Sequence, residues 1–257
     1  MRRNAKPHAG KRDNSRKTGL ARVLSKLGYC SRSQAADLIR AGRVKLNGAI
    51  RRDPETPTRF EKDKIAVDGK IVGSSEKRYF ILNKPRGVVT TASDEKGRET
   101  VYDFLPATLS WIAPVGRLDK ASEGLLLLTN DSEWAARISA PETHLDKTYH
   151  VRIDAIADET LLQKLRDGVQ ATDDFLRAKR INILRQGEHN SWLEIVLDEG
   201  KNRHIRRMLK HLNIEVLRLI RVAIGPLPLG ELPKGKTREL TQEEKISLDR
   251  AISGQSN

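Results

Sequence analysis

The sequence predicts an α+β protein, with a small helix–helix–strand domain ahead of a larger domain built on a mixed, mainly antiparallel sheet with flanking helices. Two patterns carry that expectation. Apolar residues recur at i, i+3, i+4, i+7 in short stretches, and these stretches interleave with brief strand-like runs closed by turn residues. The runs are not spaced as regular βαβ units, which argues against a doubly wound sheet, and no fixed period repeats along the chain. A third observation divides the chain by charge. Residues 1–52 hold 15 Lys/Arg against Asp13 and Asp37, a net +13 of the total +14.

Residues 1–17 are basic, with Gly, Pro, Asn and Ser between the charges, and read as a disordered arm. Leu20, Val23, Leu24 and Leu27 then form one apolar helix face, which Gly28 ends. Ser31 with Gln34 three residues on is a capping box for a second helix that turns Ala35, Leu38 and Ile39 inward and stops at Gly42. Val44–Leu46 runs as a strand into the turn Asn47-Gly48, and Lys64–Val67 forms another closed by Asp68-Gly69. These elements define a domain over 18–70. Residues 71–78, with Gly73-Ser74-Ser75, read as a linker. In the second domain, 79–248, strands are expected at Tyr79–Leu82, Leu125–Thr129, Thr148–Ile153, Ile181–Leu184, Trp192–Leu197 and Val216–Val222. Helices are expected at Ser132–Ile138, Asp158–Arg166, Asn202–Leu212 and Thr241–Ile252, with 249–257 a C-terminal tail.

Composition excludes several classes. Apolar residues make up 37% of the 257, enough for a folded core. One cysteine, Cys30, rules out an internal disulfide framework and a multi-cysteine metal site, and beside a turn it reads as a packing residue. The basic N-terminus lacks the apolar core of a secretory signal, and no apolar run is long enough to span a bilayer, so a soluble cytoplasmic protein is expected. The six histidines show no paired metal-ligand spacing, and no GxSxG elbow is present. Gly230-Glu231-Leu232-Pro233-Lys234-Gly235-Lys236-Thr237 matches the letters of a phosphate-binding loop. Its context fails: Gly225–Pro228 separates it from the preceding strand, Pro233 removes an N–H, and the next helix begins only near Thr241. A basic turn is the better reading, and no nucleotide cofactor or metal is expected. The N-terminal charge block is a footprint for a polyanion, and without a broad apolar face a nucleic acid fits it better than a membrane.

The segment with most chemical content runs Val115-Gly116-Arg117-Leu118-Asp119-Lys120-Ala121-Ser122-Glu123-Gly124 and continues as Leu125–Asp131. It delivers one carboxylate between two basic residues at the lip of a buried strand. On spacing alone this is equally an aimed, ionised carboxylate or a plain surface ion pair.

That segment resembles the catalytic motif of pseudouridine synthases, in the RsuA/RluB/RluE/RluF group that acts on ribosomal RNA. Four further stretches resemble the group's motifs in order: Leu82–Val88 (LNKPRGV), Gly97–Pro106 (GRETVYDFLP), Lys147–Val151 (KTYHV) and Glu199–Met208 (EGKNRHIRRM). Ser31–Ala36 and Ala41–Gly48 resemble the small RNA-binding domain named after ribosomal small-subunit protein four. The resemblance covers residues 18 to about 245, and details such as Asn202-Arg203 and Leu217–Val222 lean toward the RluB-like large-subunit enzymes.

The resemblance implies a central cleft and an intramolecular isomerisation of uridine to pseudouridine in ribosomal RNA, expected to be the large-subunit (23S) RNA, within ribosome biogenesis. It implies no cofactor. Asp119 would be the essential carboxylate, Tyr149 a stacking platform for the extruded base, and Arg206 the arginine pairing with Asp119, in preference to Arg207. Arg117, Leu118, Lys147, Lys84, Arg203 and Arg207 would contact substrate. Arg22, Lys26, Arg32, Arg40, Arg43 and Lys45 would contact RNA from the first domain. His204 stands where relatives often carry Gln or Glu. The partner would be ribosomal RNA or a ribosome-assembly intermediate, met by a monomer. Two other readings stay open at this stage: a non-catalytic RNA-binding or assembly factor, and an enzyme for small-subunit (16S) RNA.

Overall fold

A computed structural model of the chain describes residues 17–91, 94, 96–106, 111–171 and 174–254, so the basic arm expected over 1–17 lies outside the described residues except for Lys17. The chain divides into two compact units between Ser75 and Glu76.

In the first unit, β1 (Thr18–Gly19) leads into α1 (Leu20–Lys26) and α2 (Arg32–Arg40), followed by β2 (Val44–Leu46), β3 (Ala49–Arg51), β4 (Pro57–Thr58), β5 (Ile65–Val67) and β6 (Lys70–Ile71). Local chemistry sets these boundaries. Ser31 and Gln34 cap α2 reciprocally, with Ser31 Oγ accepting from the Gln34 N–H and Gln34 Oε1 accepting from the Ser31 N–H. Asn47 and Gly48 both take positive φ, the geometry that joins β2 to β3 by a tight hairpin. Leu20, Val23, Leu24, Ala35, Ile39, Val44, Leu46, Ile65 and Val67 form one core. Cys30 packs into it, and burial pushes its thiol up to about 11. The unit runs past the expected limit at 70: β6 pairs with β5 and Val72 packs on the core, so the linker is shorter than its polar composition suggests.

The second unit carries β7 (Tyr79–Lys84), β8 (Ala113–Val115), β9 (Glu123–Thr129), α3 (Ser132–Ser139), β10 (Lys147–Ile153), α4 (Glu159–Asp167), β11 (Val169–Ala171), β12 (Asp174–Leu176), β13 (Arg180–Gln186), β14 (Ser191–Leu197), α5 (His204–His211), β15 (Val216–Ile224), β16 (Leu227–Pro228), β17 (Thr237–Glu239) and α6 (Gln242–Ile252). The main sheet runs β13-β14-β10-β15-β9-β7-β17, with β16 on β15 and β8 on β9. Its ladders are antiparallel except for β15 against β9. The unbroken apolar run of β9 has a direct cause: every residue is buried. Leu125 and Leu127 join Ile81, Trp134, Ile138 and Leu248 in one core, while Leu126 and Leu128 join Phe80, Leu82, Val101 and Leu118 in another. A third core packs α4 and α5 onto β10, β13, β14 and β15 through Leu162, Leu165, Ile205, Met208, Leu193 and Ile195.

The segment that mimics a phosphate loop ends in a strand. Thr237 opens β17 against β7, and the next helix, α6, starts after Thr241, whose side chain and that of Glu244 form the capping box. The C-terminal tail expected from 249 instead begins inside α6, which runs to Ile252. No helix among the described residues is long and apolar enough to cross a membrane.

Candidate active site

A cleft of about 510 Å³ opens in the second unit between the Asp119 loop, the start of α5 and the sheet face that carries Lys147, Tyr149, Leu219 and Arg221. The Asp119 loop is held by its own backbone. Leu118 O accepts from Thr90 Oγ1 at 2.8 Å, and Asp119 O accepts from the Ser122 N–H at 2.9 Å and from Lys84 Nζ at 3.2 Å. Lys120 O accepts from the Gly87 N–H at 2.8 Å, Ala121 O from Arg206 Nη2 at 3.0 Å, and Ser122 O from Lys84 Nζ at 2.8 Å. Five consecutive carbonyls are therefore tied to β7, to the strand-loop after it, and to α5. The Leu118 side chain is buried beneath the loop and anchors it in the core. A side chain placed on so constrained a backbone is aimed before any substrate arrives.

Asp119 is partly exposed at the cleft wall, and Arg203 Nη1 stands 3.6 Å from its Oδ2. The ion pair expected from Arg206 thus falls to Arg203. Arg203 takes a left-handed conformation (φ 48°, ψ 33°) at the N-cap of α5, uncommon for a residue with a side chain, and so comes to face the loop. Arg206 lies within the helix, half-buried, and spends its guanidinium on the carbonyls of Ala121 and Val216. Burial pulls its basicity down and the nearby Asp119 partly restores it.

Lys84 also differs from its expected role. It is fully buried behind the loop, outside the cleft lining, and donates to the carbonyls of Pro85, Asp119 and Ser122, so it supports the carboxylate rather than meeting substrate. Burial lowers its ammonium to about 8. Arg207 is turned away from the cleft to Asp174, at 2.7 Å, because its position on α5 faces β12. Arg117, Leu118, Lys147, Tyr149 and Arg203 do line the cleft. Tyr149 is half-buried where two cores meet. The Lys147 ammonium is made less basic by burial and then by the charge of Arg221.

Two further cleft residues lie outside the set expected to meet substrate. His204, at the first turn of α5, is 5% exposed with neither ring nitrogen hydrogen-bonded; the Arg177 backbone lies near it without hydrogen-bond geometry. Burial holds its imidazole toward the neutral form. Arg221 reaches the cleft through a β-bulge. Thr148 pairs with Ala223 but Tyr149 pairs with Arg221, so one residue of β15 is skipped and Arg221 lands on the face of Tyr149. Strict alternation along Leu217–Val222 carries no sign of that shift. In the first unit, Arg22, Arg32 and Lys45 are exposed, Lys26 is partly so, Arg40 pairs with Asp37, and Arg43 forms a two-pronged pair with Asp68.

Comparison with known proteins places this geometry. The RNA pseudouridylate synthase family model matches residues 78–211, and the S4 domain model matches residues 18–65. An uncharacterized RNA pseudouridine synthase of Aquifex aeolicus is 40% identical over 90% of this chain and 93% of its own length. The ribosomal large subunit pseudouridine synthase B of Bacillus subtilis is 37% identical over 88% of this chain and 93% of its own length. A crystal structure described as a pseudouridylate synthase superposes with a TM-score of 0.64 at 30% identity, covering 90% of this chain and 99% of that one. The matched segment contains the pinned Asp119 loop, Tyr149 and α5, and on these grounds the chain belongs to the RNA pseudouridylate synthase family.

Proposed function

We propose that this chain isomerises uridine to pseudouridine in ribosomal RNA during ribosome biogenesis, and that its target lies in the large-subunit RNA. The carrying observation is Asp119 itself: a carboxylate on a backbone held through five carbonyls, opposite Arg203, in a cleft whose floor presents Tyr149. The large-subunit target is supported by the description of the Bacillus subtilis relative. In this reading Asp119 performs the chemistry at the sugar–base bond. Tyr149 stacks on the extruded uracil, replacing contacts whose loss costs a few kcal/mol. Arg117, Lys147 and Arg203 hold the nucleotide and its phosphates, and the exposed Arg22, Arg32 and Lys45 engage the RNA backbone.

The test is release of tritium from ribosomal RNA labelled at uracil carbon 5, with RNA from a strain lacking the gene. The wild-type protein is expected to release it from large-subunit RNA, and Asp119→Asn is expected to abolish release while retaining RNA affinity. No release by the wild type from either subunit's RNA would leave a binding protein without this chemistry. Release from small-subunit RNA alone would move the target.

A further inference from the structure

Among the described residues, every buried side-chain polar atom without a hydrogen-bond partner belongs to a residue lining this one cleft: both ring nitrogens of His204, Nε of Arg206 and Nη2 of Arg221. Buried donors are ordinarily satisfied, so a cluster of orphans in a cavity calls for a ligand with acceptors. Arg221 is the most demanding of them. It is 6% exposed and its Nε donates to Leu125 O at 2.8 Å. Glu123, on the strand beside it, is taken by Arg218 and Lys234, and Asp119 faces Arg203. A buried guanidinium without a carboxylate is costly unless negative charge arrives. Lys147 adds a second cation on the same face, and Tyr149 lies directly across from Arg221 in the sheet.

We propose that Arg221, assisted by Lys147, holds the uracil ring through a carbonyl oxygen while the ring is detached and negatively charged. This rests on the isomerase reading above and assigns the part of the site that receives the leaving group. The chemistry requires such a part. Heterolysis of the N1–C1′ bond leaves its electron pair on uracil, whose charge spreads over N1, O2 and O4. The ring turns, the electron pair at C5 bonds to C1′, a base takes the C5 proton and N1 gains one, so the product is an isomer of the substrate and no oxidant or reductant enters. A half-turn about the N3–C6 axis exchanges N1 with C5 and O2 with O4. One fixed donor therefore meets a carbonyl oxygen both before and after the turn. A preorganised cation aimed at developing charge in a water-poor site is an effective stabiliser of that charge.

The experiment compares wild type, Arg221→Met and Arg221→Lys in single-turnover reactions on two RNAs, one with uridine and one with 5-fluorouridine at the target. Disappearance of the starting nucleoside is read by chromatography of nuclease digests. Fluorine at C5 stabilises the uracil anion without help from the protein. Arg221→Met is expected to slow the uridine reaction by about 10²–10³-fold at saturation, the fluorinated one by at least tenfold less, and Arg221→Lys is expected to fall between. Equal slowing of both substrates, or an effect confined to KM, would overturn the proposal in favour of a packing role. If Arg221→Met does not fold, as read by circular dichroism, Arg221→Gln gives the same neutral comparison with a donor left for Leu125. A wild type that consumes neither nucleoside would instead defeat the isomerase reading.

Discussion

Replacing Lys84 by Met separates the holding of the Asp119 loop from the stability of the fold. The ammonium donates three hydrogen bonds to loop carbonyls, at 3.1, 3.2 and 2.8 Å, from a fully buried position. Bonds from a charged donor contribute about 1.5–3 kcal/mol each. Burying the cation costs several kcal/mol, which Met avoids. Asp119 O also keeps the Ser122 N–H, so the main loss is the Ser122 carbonyl. The two sides largely cancel, and a net loss of about 1–3 kcal/mol is expected in urea denaturation. Catalysis has no such offset. A carboxylate displaced by about 1 Å loses on the order of 10²-fold in kcat, with KM little changed, in a tritium-release assay. Activity within about threefold of wild type would refute the positioning role. The pH dependence gives an independent reading. Burial holds Lys84 at about 8, below its ordinary 10.5, so between those values the unfolded chain binds a proton that the folded one has released. Wild-type stability relative to Lys84→Met should therefore rise across that window; a flat difference would show that Lys84 is not buried as a cation.

Other expectations follow from the same geometry. Arg203→Ala should change stability by no more than about 1 kcal/mol, since its pair with Asp119 is partly exposed, whereas Arg206→Ala removes donors to two carbonyls and should cost about 1–3 kcal/mol; urea midpoints of the two variants check the order. Gly124 has φ +100°, and a Cβ there would sit 2.2 Å from the Arg221 carbonyl oxygen. Gly124→Ala should destabilise by about 3 kcal/mol or more, and a near-normal melting temperature would contradict the close strand approach. Deleting residues 1–75 should weaken RNA binding and flatten its salt dependence by about 0.7 in the log–log slope for each phosphate of single-stranded RNA that the protein no longer neutralises, which filter binding at several salt concentrations measures.

What was legible in the sequence was local. The capping boxes at Ser31 and Thr241 each need only two side chains one helical turn apart, and the turn at Asn47-Gly48 needs only its own backbone. The doubly buried β9 could be read from its unbroken leucines. The Asp119 segment was legible as a motif, but the reason its carboxylate is fixed was not, because Lys84, Thr90 and Arg206 reach it from 35, 29 and 87 residues away along the chain. A buried lysine and a surface lysine are the same letter. Between Arg206 and Arg207 the sequence favoured Arg206, yet Arg203 faces Asp119, because one left-handed residue at a helix cap turns it to the loop, a conformation that propensity disfavours and therefore does not foretell.

The skipped residue between Thr148 and Tyr149 sets a parity for β15. On one side of it the even-numbered Ile224 shares the cleft with Lys147; on the other, the odd-numbered Leu219 and Arg221 do. Loss of the skipped Val222 would leave Arg221 opposite Tyr149 in an unbroken ladder. Closing the bulge at full length would instead put Val222 where Arg221 now stands and send the charge to the opposite side of the sheet. Substitutions along β15 can tune this cleft by degrees, but changes of length can only keep it or invert it.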